Sequence, residues 1–310
     1  MRIAVIGTGA VGGYFGAKLA AAGHELVFFA RGKHLDALQA TGLRILSPNG
    51  DLHIQQAQFL ASPAQAGSVD LILFCVKSYD TQAAAEFLGP LLADRTTILS
   101  LQNGVDNPEK ITAVWRQHRI LAGVVYIGAE IYSPGVIRHS NGGKIVFGAL
   151  HGQPDESARR IEQLLSEAHI PCQFSSNIRE VQWGKLLWNA PFCAISCLAR
   201  VDVKQITDSA PLCRLAIDCM SEVQSAAELR GVTLPRALFD QTIAFSRGLG
   251  AFKPSMLQDL EAGKPLEYEA FNGIVAELLQ ASDRAAPINQ AFHALLQHLD
   301  KPSRERTNPK

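Results

Sequence analysis

A glycine-rich segment near the start of the chain has the spacing of a phosphate-binding turn. It follows the apolar run 2–7 (RIAVIG) and precedes an alanine-rich stretch, so it joins a predicted strand to a predicted helix. In this setting the first glycine permits a tight turn, the second leaves room for a pyrophosphate, and the third lets helix and strand approach closely. Short glycine patterns also occur in turns that bind nothing, but this context favours a dinucleotide on the helix N-terminus. The six residues are Gly7, Thr8, Gly9, Ala10, Val11 and Gly12.

The residue after the second apolar run, 25–30 (ELVFFA), indicates which dinucleotide would bind. A carboxylate at the end of this strand would accept hydrogen bonds from the ribose of NAD and repel the extra phosphate of NADP. This sequence has Arg31 there, followed two residues later by Lys33. A guanidinium makes charge-assisted hydrogen bonds to a 2′-phosphate, each worth about 1.5 to 3 kcal/mol. Arg31 therefore favours NADP, the alternative being a surface arginine without a ligand.

Two further polar residues end predicted strands of the same half of the chain. Lys77 follows the run 70–76 (DLILFCV), and Asn103 follows 96–102 (TTILSLQ). Open α/β sheets bind ligands at the carboxyl ends of their strands. Both residues are therefore candidates for the site of the glycine segment, although Asn-Gly is also common in plain turns.

A lysine in the second half of the chain is a candidate acid catalyst. Lys185, Asn189 and Cys193 are spaced i, i+4 and i+8, which places them on one stripe of a helix, flanked by large apolar residues. Such a lysine commonly extends to solvent. Held in a cleft, it would lose hydration, and its pKa would fall from about 10.4 toward neutrality, where it can donate a proton.

Ser255 and Glu267 lie near predicted helix starts further along the chain. We expect Ser255 to be the N-cap of the helix that begins with MLQDLEAG, and Glu267 to lead into the next helix. Capping and charge alone would explain both residues. Sequence spacing does not bring them together with Lys185.

The element pattern predicts an α/β fold with two domains. Apolar runs alternate with helices through the first half, and 120–128 (ILAGVVYIG) is a fifth strand there. The stretch 135–150 predicts a hairpin that turns at residues 140–143 (SNGG). From residue 177 onward only helices are predicted. We place a Rossmann-type NADP-binding domain at 1–174 and a helical substrate and catalytic domain at 175–310, with a frayed polar tail from Lys301.

Composition disfavours several other classes of protein. The 310 residues include 29 basic and 29 acidic ones, so the net charge of zero does not attract nucleic acid. No apolar run reaches the length of about 18 residues that predicts a membrane span, and no signal peptide is evident, so we expect a cytoplasmic protein. The six cysteines form no CxxC pair, and we predict no metal site. Whether the protein forms a homodimer is left open.

Taken together, these motifs resemble the ketopantoate reductase (2-dehydropantoate 2-reductase) family over nearly the whole chain. The matching stretches are GTGAVG, Arg31, VKSYD, QNGVDN, WGKLLWN and SMLQDLEAGKPLEYEAFNG. The resemblance implies a cytoplasmic oxidoreductase that reduces the 2-oxo group of ketopantoate with NADPH, giving pantoate for pantothenate and coenzyme A synthesis.

The resemblance also implies roles for individual residues. Lys185 would be the general acid, and Asn103 would lie between cofactor and substrate. Glu267 would be a second catalytic residue, which lies beside the nicotinamide ribose and helps organise the site. The residues that would hold the substrate are Asn189 and Ser255, and those that would line the cofactor cleft are Lys77 and Ala129. A cation aimed at the oxygen that becomes an alkoxide stabilises the transition state more than the ground state.

Two positions depart from the family pattern. Cys193 and Phe252 stand where family members commonly have hydrogen-bonding asparagines. Because those hydrogen-bonding groups are missing from the presumed substrate side, a 2-oxo acid other than ketopantoate is an alternative substrate. A non-catalytic NADP-binding sensor is a further alternative, but it would have no use for Lys185.

Overall fold

The chain folds into two compact units, Met1–Ile178 and Arg179–Lys310. The computed structural model describes residues 1–150 and 154–307, with side chains as far as Lys301. Within those residues, all strands lie in the first unit, and the second unit is helical. This is the predicted class, an α/β Rossmann-type domain followed by a helical domain.

One mixed sheet forms the centre of the first unit. Its strands are β1 Arg2–Ile6, β2 Glu25–Phe29, β3 Leu43–Leu46, β4 Leu52–Ile54, β5 Gln58–Leu60, β6 Leu71–Phe74, β7 Thr97–Ser100, β8 Arg119–Ser133, β9 Val136–Ala149 and β10 Cys172–Phe174. The strands lie in the order β4-β3-β9-β8-β7-β6-β1-β2-β5, with β10 beside β9. The stretch from β5 to β8 is parallel and has the strand order of a doubly wound dinucleotide fold.

Helices cover both faces of the parallel strands. They are α1 Ala10–Ala21, α2 Gly32–Thr41, α3 Thr81–Glu86, α4 Asn107–Val114 and α5 Glu156–Glu167. In β1, Ile3 and Val5 belong to one buried core, whereas Ala4 and Ile6 belong to the core on the opposite face. Burial on both faces explains why these strands appear in the sequence as continuous apolar runs.

The predicted hairpin turn is wrong. Strands β8 and β9 pair antiparallel and are joined at residues 134–135, where Gly135 has a φ of 78°. Residues 140–143, expected to form the turn, lie inside β9, where shifts of register against β8 mark bulges. Gly142 and Gly143 have φ values of 75° and 112°. A bulge and a tight turn both use positive φ, so the local signal did not distinguish them.

Three short strands, β3, β4 and β5, were not predicted. Each has only three or four residues, too few to establish a periodicity. They extend the sheet at its two ends.

The second unit consists of helices in its described part. These are α6 Ile178–Ala199, α7 Val203–Asp208, α8 Ala210–Leu229, α9 Ala237–Gly248, α10 Ser255–Glu261, α11 Ile274–Gln280 and α12 Pro287–Thr307, with a π-helical turn at Glu269–Gly273. Residues 301–307, expected to be frayed, are the end of α12, and residues 308–310 lie outside the described range. No helix in the part of the chain described is long and apolar enough to cross a membrane.

Candidate active site

The glycine segment has the geometry that its spacing predicts. Gly7 has a φ of 93°, and a Cβ there would lie 2.9 Å from the backbone nitrogen of Val76. A Cβ on Gly12 would overlap the Gly7 carbonyl and lie 2.8 Å from Cγ1 of Val5, so the helix reaches the strand only because this residue is glycine. In contrast, a Cβ on Gly9 would have nothing within 4 Å. The space next to Gly9 is open.

The start of α1 can hold an anion in that space. Gly9 is the N-cap of α1, so the amides of Ala10, Val11 and Gly12 lie in its first turn, where backbone donors have no partner in the helix. Thr8 serves instead as an anchor, because its amide and its hydroxyl each donate to the Phe29 carbonyl at 2.9 Å. These residues fit the pyrophosphate of a dinucleotide.

Four strand ends meet at the edge that carries the glycine segment. Beyond the Thr8 contact to β2, the amide of Cys75 donates to Ile6 at 2.8 Å, and the amide of Leu101 donates to Phe74 at 2.9 Å. These bonds join β1, β6 and β7 just where each strand ends. The predicted site residues that follow these strands therefore lie along one edge of the sheet.

Arg31 lies at this edge, two residues after β2. Its backbone is extended, and it is the N-cap of α2. The side chain is exposed. An exposed guanidinium at the end of β2 is available to a 2′-phosphate.

Lys77 and Asn103 follow β6 and β7 at the same edge, and both are half-buried. Lys77 precedes a short 3-10 turn at Ser78–Asp80. Ala129 lies elsewhere, in the ribbon of β8 and β9, seven residues beyond the Ala122 that pairs with the last residue of β7. The ribbon thus carries Ala129 past the edge where the parallel strands end.

In the second unit, α6 presents Lys185, Asn189 and Cys193 on one stripe. Lys185 is half-buried. Burial lowers the pKa of its ammonium from 10.5 to about 8, and the Cys193 and Glu267 side chains offset part of that effect. A lysine with this pKa is a usable proton donor near neutral pH. Asn189 is 5% exposed.

Glu267 is distant from Lys185 along the chain, but its charge acts on the Lys185 ammonium in the folded protein. It is 4% exposed and immediately precedes the helical segment that begins at Tyr268. The π-helical turn that follows is tied to α6, because Nδ2 of Asn272 donates to the Ala190 carbonyl at 3.1 Å. Asn272 also donates to Asn289 at 2.9 Å, and Asn289 donates to Glu222 at 2.7 Å. The sequence contained no signal for this network, because its members are far apart along the chain.

Ser255 is not a helix cap. It is the exposed first residue of α10, and Pro254 occupies the N-cap position. The prediction that Ser255 caps this helix is therefore wrong.

Aromatic rings gather around one of the two departures from the family pattern. Phe252 lies 6.2 Å from the Trp188 ring, and Trp188 stacks on Phe192 at 5.3 Å, measured between ring centroids. Ser246 accepts a hydrogen bond from the indole of Trp188 at 3.1 Å. Trp188, Phe192 and Phe252 therefore form an aromatic cluster.

Family models cover almost all of the chain. Residues 3–152 match the model described as ketopantoate reductase PanE/ApbA, and residues 177–300 match the C-terminal model of the same family. The chain belongs to the ketopantoate reductase family. It is accordingly an NADP-dependent oxidoreductase.

Individual ketopantoate reductase relatives match end to end. A 2-dehydropantoate 2-reductase of Mesorhizobium japonicum is 32% identical over 320 residues, covering 96% of this chain and 98% of the relative. A crystal structure of a PanE/ApbA family ketopantoate reductase from Ralstonia eutropha has a TM-score of 0.89 at 33% identity, covering 98% and 100% of the two chains. That of 2-dehydropantoate 2-reductase from Geobacter metallireducens has a TM-score of 0.91 at 28% identity, covering 96% and 99%.

Proposed function

We propose that this protein catalyses the NADPH-dependent reduction of 2-dehydropantoate to pantoate, with Lys185 as the general acid. The observation that carries the proposal is the half-buried Lys185 ammonium, which has a pKa of about 8, feels the charge of Glu267 and shares a helix stripe with the buried Asn189. The names of the relatives support the substrate. We assign the step to coenzyme A synthesis in the cytoplasm.

Bound NADPH supplies the hydride that reaches the carbonyl carbon. Lys185 donates the proton that the carbonyl oxygen needs, so that the ketone becomes a secondary alcohol. A cation at this oxygen also stabilises the alkoxide character of the transition state, where the charge is largest. The neutral amine then regains a proton from water.

Residues of the first unit would hold the cofactor. The amides at the start of α1 bind the pyrophosphate, the open space next to Gly9 admits it, and the exposed Arg31 binds the 2′-phosphate. Lys77, Asn103 and Ala129 would contact the nicotinamide half. The preference for NADPH over NADH is therefore attributed to Arg31.

Residues of the second unit would hold the oxo acid. Asn189 and Ser255 donate hydrogen bonds to the substrate, and Glu267 orients Lys185 through its charge. One observation favours a second candidate substrate: Phe252, at a position where the family commonly has an asparagine, is a half-buried apolar ring 6.2 Å from the ring of the half-buried Trp188. These rings suit a 2-oxo acid with an apolar side chain in place of the hydroxymethyl group of 2-dehydropantoate.

A substrate panel tests the proposal. NADPH oxidation at 340 nm is followed with 2-dehydropantoate, with 2-oxoisovalerate, which lacks the hydroxymethyl group, and with benzoylformate, which is aromatic. The highest kcat/KM with 2-dehydropantoate supports the proposal, and a higher value with either analogue supports the second candidate. Absence of turnover with all three, with NADPH binding intact, would overturn the enzyme mechanism proposed for Lys185.

A further inference from the structure

A buried polar network joins the two loops that follow β6 and β7. Its members are Thr81, Gln102 and Asn107, none of which is more than 8% exposed. Nε2 of Gln102 donates to the Thr81 hydroxyl at 2.7 Å. The Thr81 hydroxyl in turn lies 2.8 Å from Oδ1 of Asn107. Three segments, at the start of α3, the end of β7 and the start of α4, therefore share one set of hydrogen bonds.

Side chains of this network also form hydrogen bonds with backbone carbonyls at or beside two candidate site residues, Lys77 and Asn103. Gln102 also donates to the Val76 carbonyl at 3.1 Å, and Thr81 lies 2.9 Å from the Ser78 carbonyl. These two carbonyls belong to the residues on either side of Lys77. The network thus fixes the peptide on both sides of Lys77.

Asn107 binds the loop that follows β7. Nδ2 of Asn107 donates to the carbonyl of Asn103 at 2.6 Å. Asn107 is the first residue of α4, so the helix itself supports the contact. The backbone of Asn103 is fixed relative to that of Lys77 through a chain of only three side chains.

The Thr81 hydroxyl is the junction of the network. It accepts from Gln102 and has one hydrogen for two acceptors, the Ser78 carbonyl and Oδ1 of Asn107. Removing the hydroxyl would leave the Gln102 amide and the Asn107 oxygen without this partner in a buried site. The loops would then shift to find other hydrogen bonds.

We propose that Thr81, Gln102 and Asn107 are positioning residues that hold Lys77 and Asn103 in their catalytic arrangement. This inference rests on the proposed function, in which those two residues contact the nicotinamide half of the cofactor. A misplacement of about 1 Å in an active site can lower the rate by about 100-fold. The pyrophosphate and the 2′-phosphate are bound by other segments, so NADPH affinity changes much less than turnover.

Three substitutions test the proposal. Thr81→Val removes the hydroxyl at constant shape, and Thr81→Ser keeps it. The matched control is Thr96→Val, because Thr96 is also a buried threonine, whose hydroxyl donates to Val69 at 2.6 Å and accepts from the amide of Ala93 at 2.8 Å. Thr96 precedes β7, at the opposite end of the strand from Asn103.

The measurements are kcat and KM, the Kd of NADPH by fluorescence titration, and Tm. We expect Thr81→Val to lower kcat by about 10- to 100-fold, with the Kd of NADPH changed less than about threefold. Thr81→Ser should retain kcat near the wild-type value. Thr96→Val should lower Tm about as much as Thr81→Val and leave kcat unchanged.

A wild-type kcat in Thr81→Val, or an equal loss in Thr96→Val, would overturn the proposal while leaving the proposed function intact. A wild-type protein without turnover would overturn both. Should Thr81→Val fail to fold, Asn107→Asp replaces it. This change sets a carboxylate oxygen against the Asn103 carbonyl, yet an acid is favourable at the start of α4. Unchanged kcat in Asn107→Asp would then count against the network.

Discussion

Replacing Lys185 with methionine should abolish turnover and stabilise the fold at neutral pH. Methionine has a similar length and carries no charge. Burial lowers the pKa of Lys185 from 10.5 to about 8. The charged ammonium therefore lowers the free energy of unfolding, and this reduction is the cost considered below. One pKa unit corresponds to about 1.4 kcal/mol, which makes the cost at pH 7 about 3 kcal/mol.

The cost should depend on pH in a defined direction. Below pH 8, Lys185 is protonated in both states, and the full cost is present. Between pH 8 and 10.5, the folded protein has lost this proton while the unfolded chain retains it, so the stability of the wild type rises with pH. At pH 9.5 the remaining cost is about 1.4 kcal/mol. The advantage of Lys185→Met should therefore shrink by about 2 kcal/mol between pH 7 and 9.5.

Urea denaturation of both proteins at the two pH values measures this difference. Comparing the two pH values removes any packing effect of methionine that does not depend on pH. Lys264→Met is the control, because Lys264 is exposed in the turn after α10, and its substitution should change stability little at either pH. An equal advantage for Lys185→Met at pH 7 and 9.5 would refute the argument from the lowered pKa of Lys185. Retained turnover would refute the general-acid role.

Three further outcomes are expected. The kcat/KM for reduction should fall about tenfold per pH unit above pH 8, because the Lys185 ammonium is lost there; a profile flat to pH 10 would exclude this donor. Arg31→Asp should raise the Kd of NADPH at least about tenfold more than that of NADH, and equal losses in titrations with the two cofactors would mean that Arg31 does not bind the 2′-phosphate. Gly12→Ala should lower the free energy of unfolding by about 1 to 3 kcal/mol, since its Cβ overlaps the Gly7 carbonyl, and unchanged thermal unfolding would contradict the close packing.

Much of the fold could be predicted because its signals are local. The strands β1, β2, β6 and β7 are buried on both faces, so each appears as an unbroken apolar run. A helix was also predicted to carry the stripe of Lys185, Asn189 and Cys193, and α6 contains all three residues. The short strands β3 to β5 were missed because pairing with neighbours, and not their own pattern, makes them strands.

The residues 140–143 show where local chemistry stops being sufficient. Glycines with positive φ occur there as expected, but the pairing of β8 with β9 extends past them and turns at Gly135. Ser255 is similar, since the residue type suits a cap, yet the chain enters α10 one residue earlier, at Pro254. At residues 140–143 the pairing of β8 with β9 decides the outcome, and not the residue types of the segment itself.

The sequence by itself determined the glycine turn, the charge at Arg31 and the stripe that carries Lys185, because each of these depends on residues within a few turns of one another. The tertiary structure decided which distant groups surround them. Glu267 lies about 80 residues after Lys185 in the chain, yet its charge affects the pKa of Lys185 in the folded protein. Thr81 likewise joins Gln102 and Asn107, which come from two other segments. A buried hydrogen bond needs exact distances between segments, and only the folded chain sets those distances.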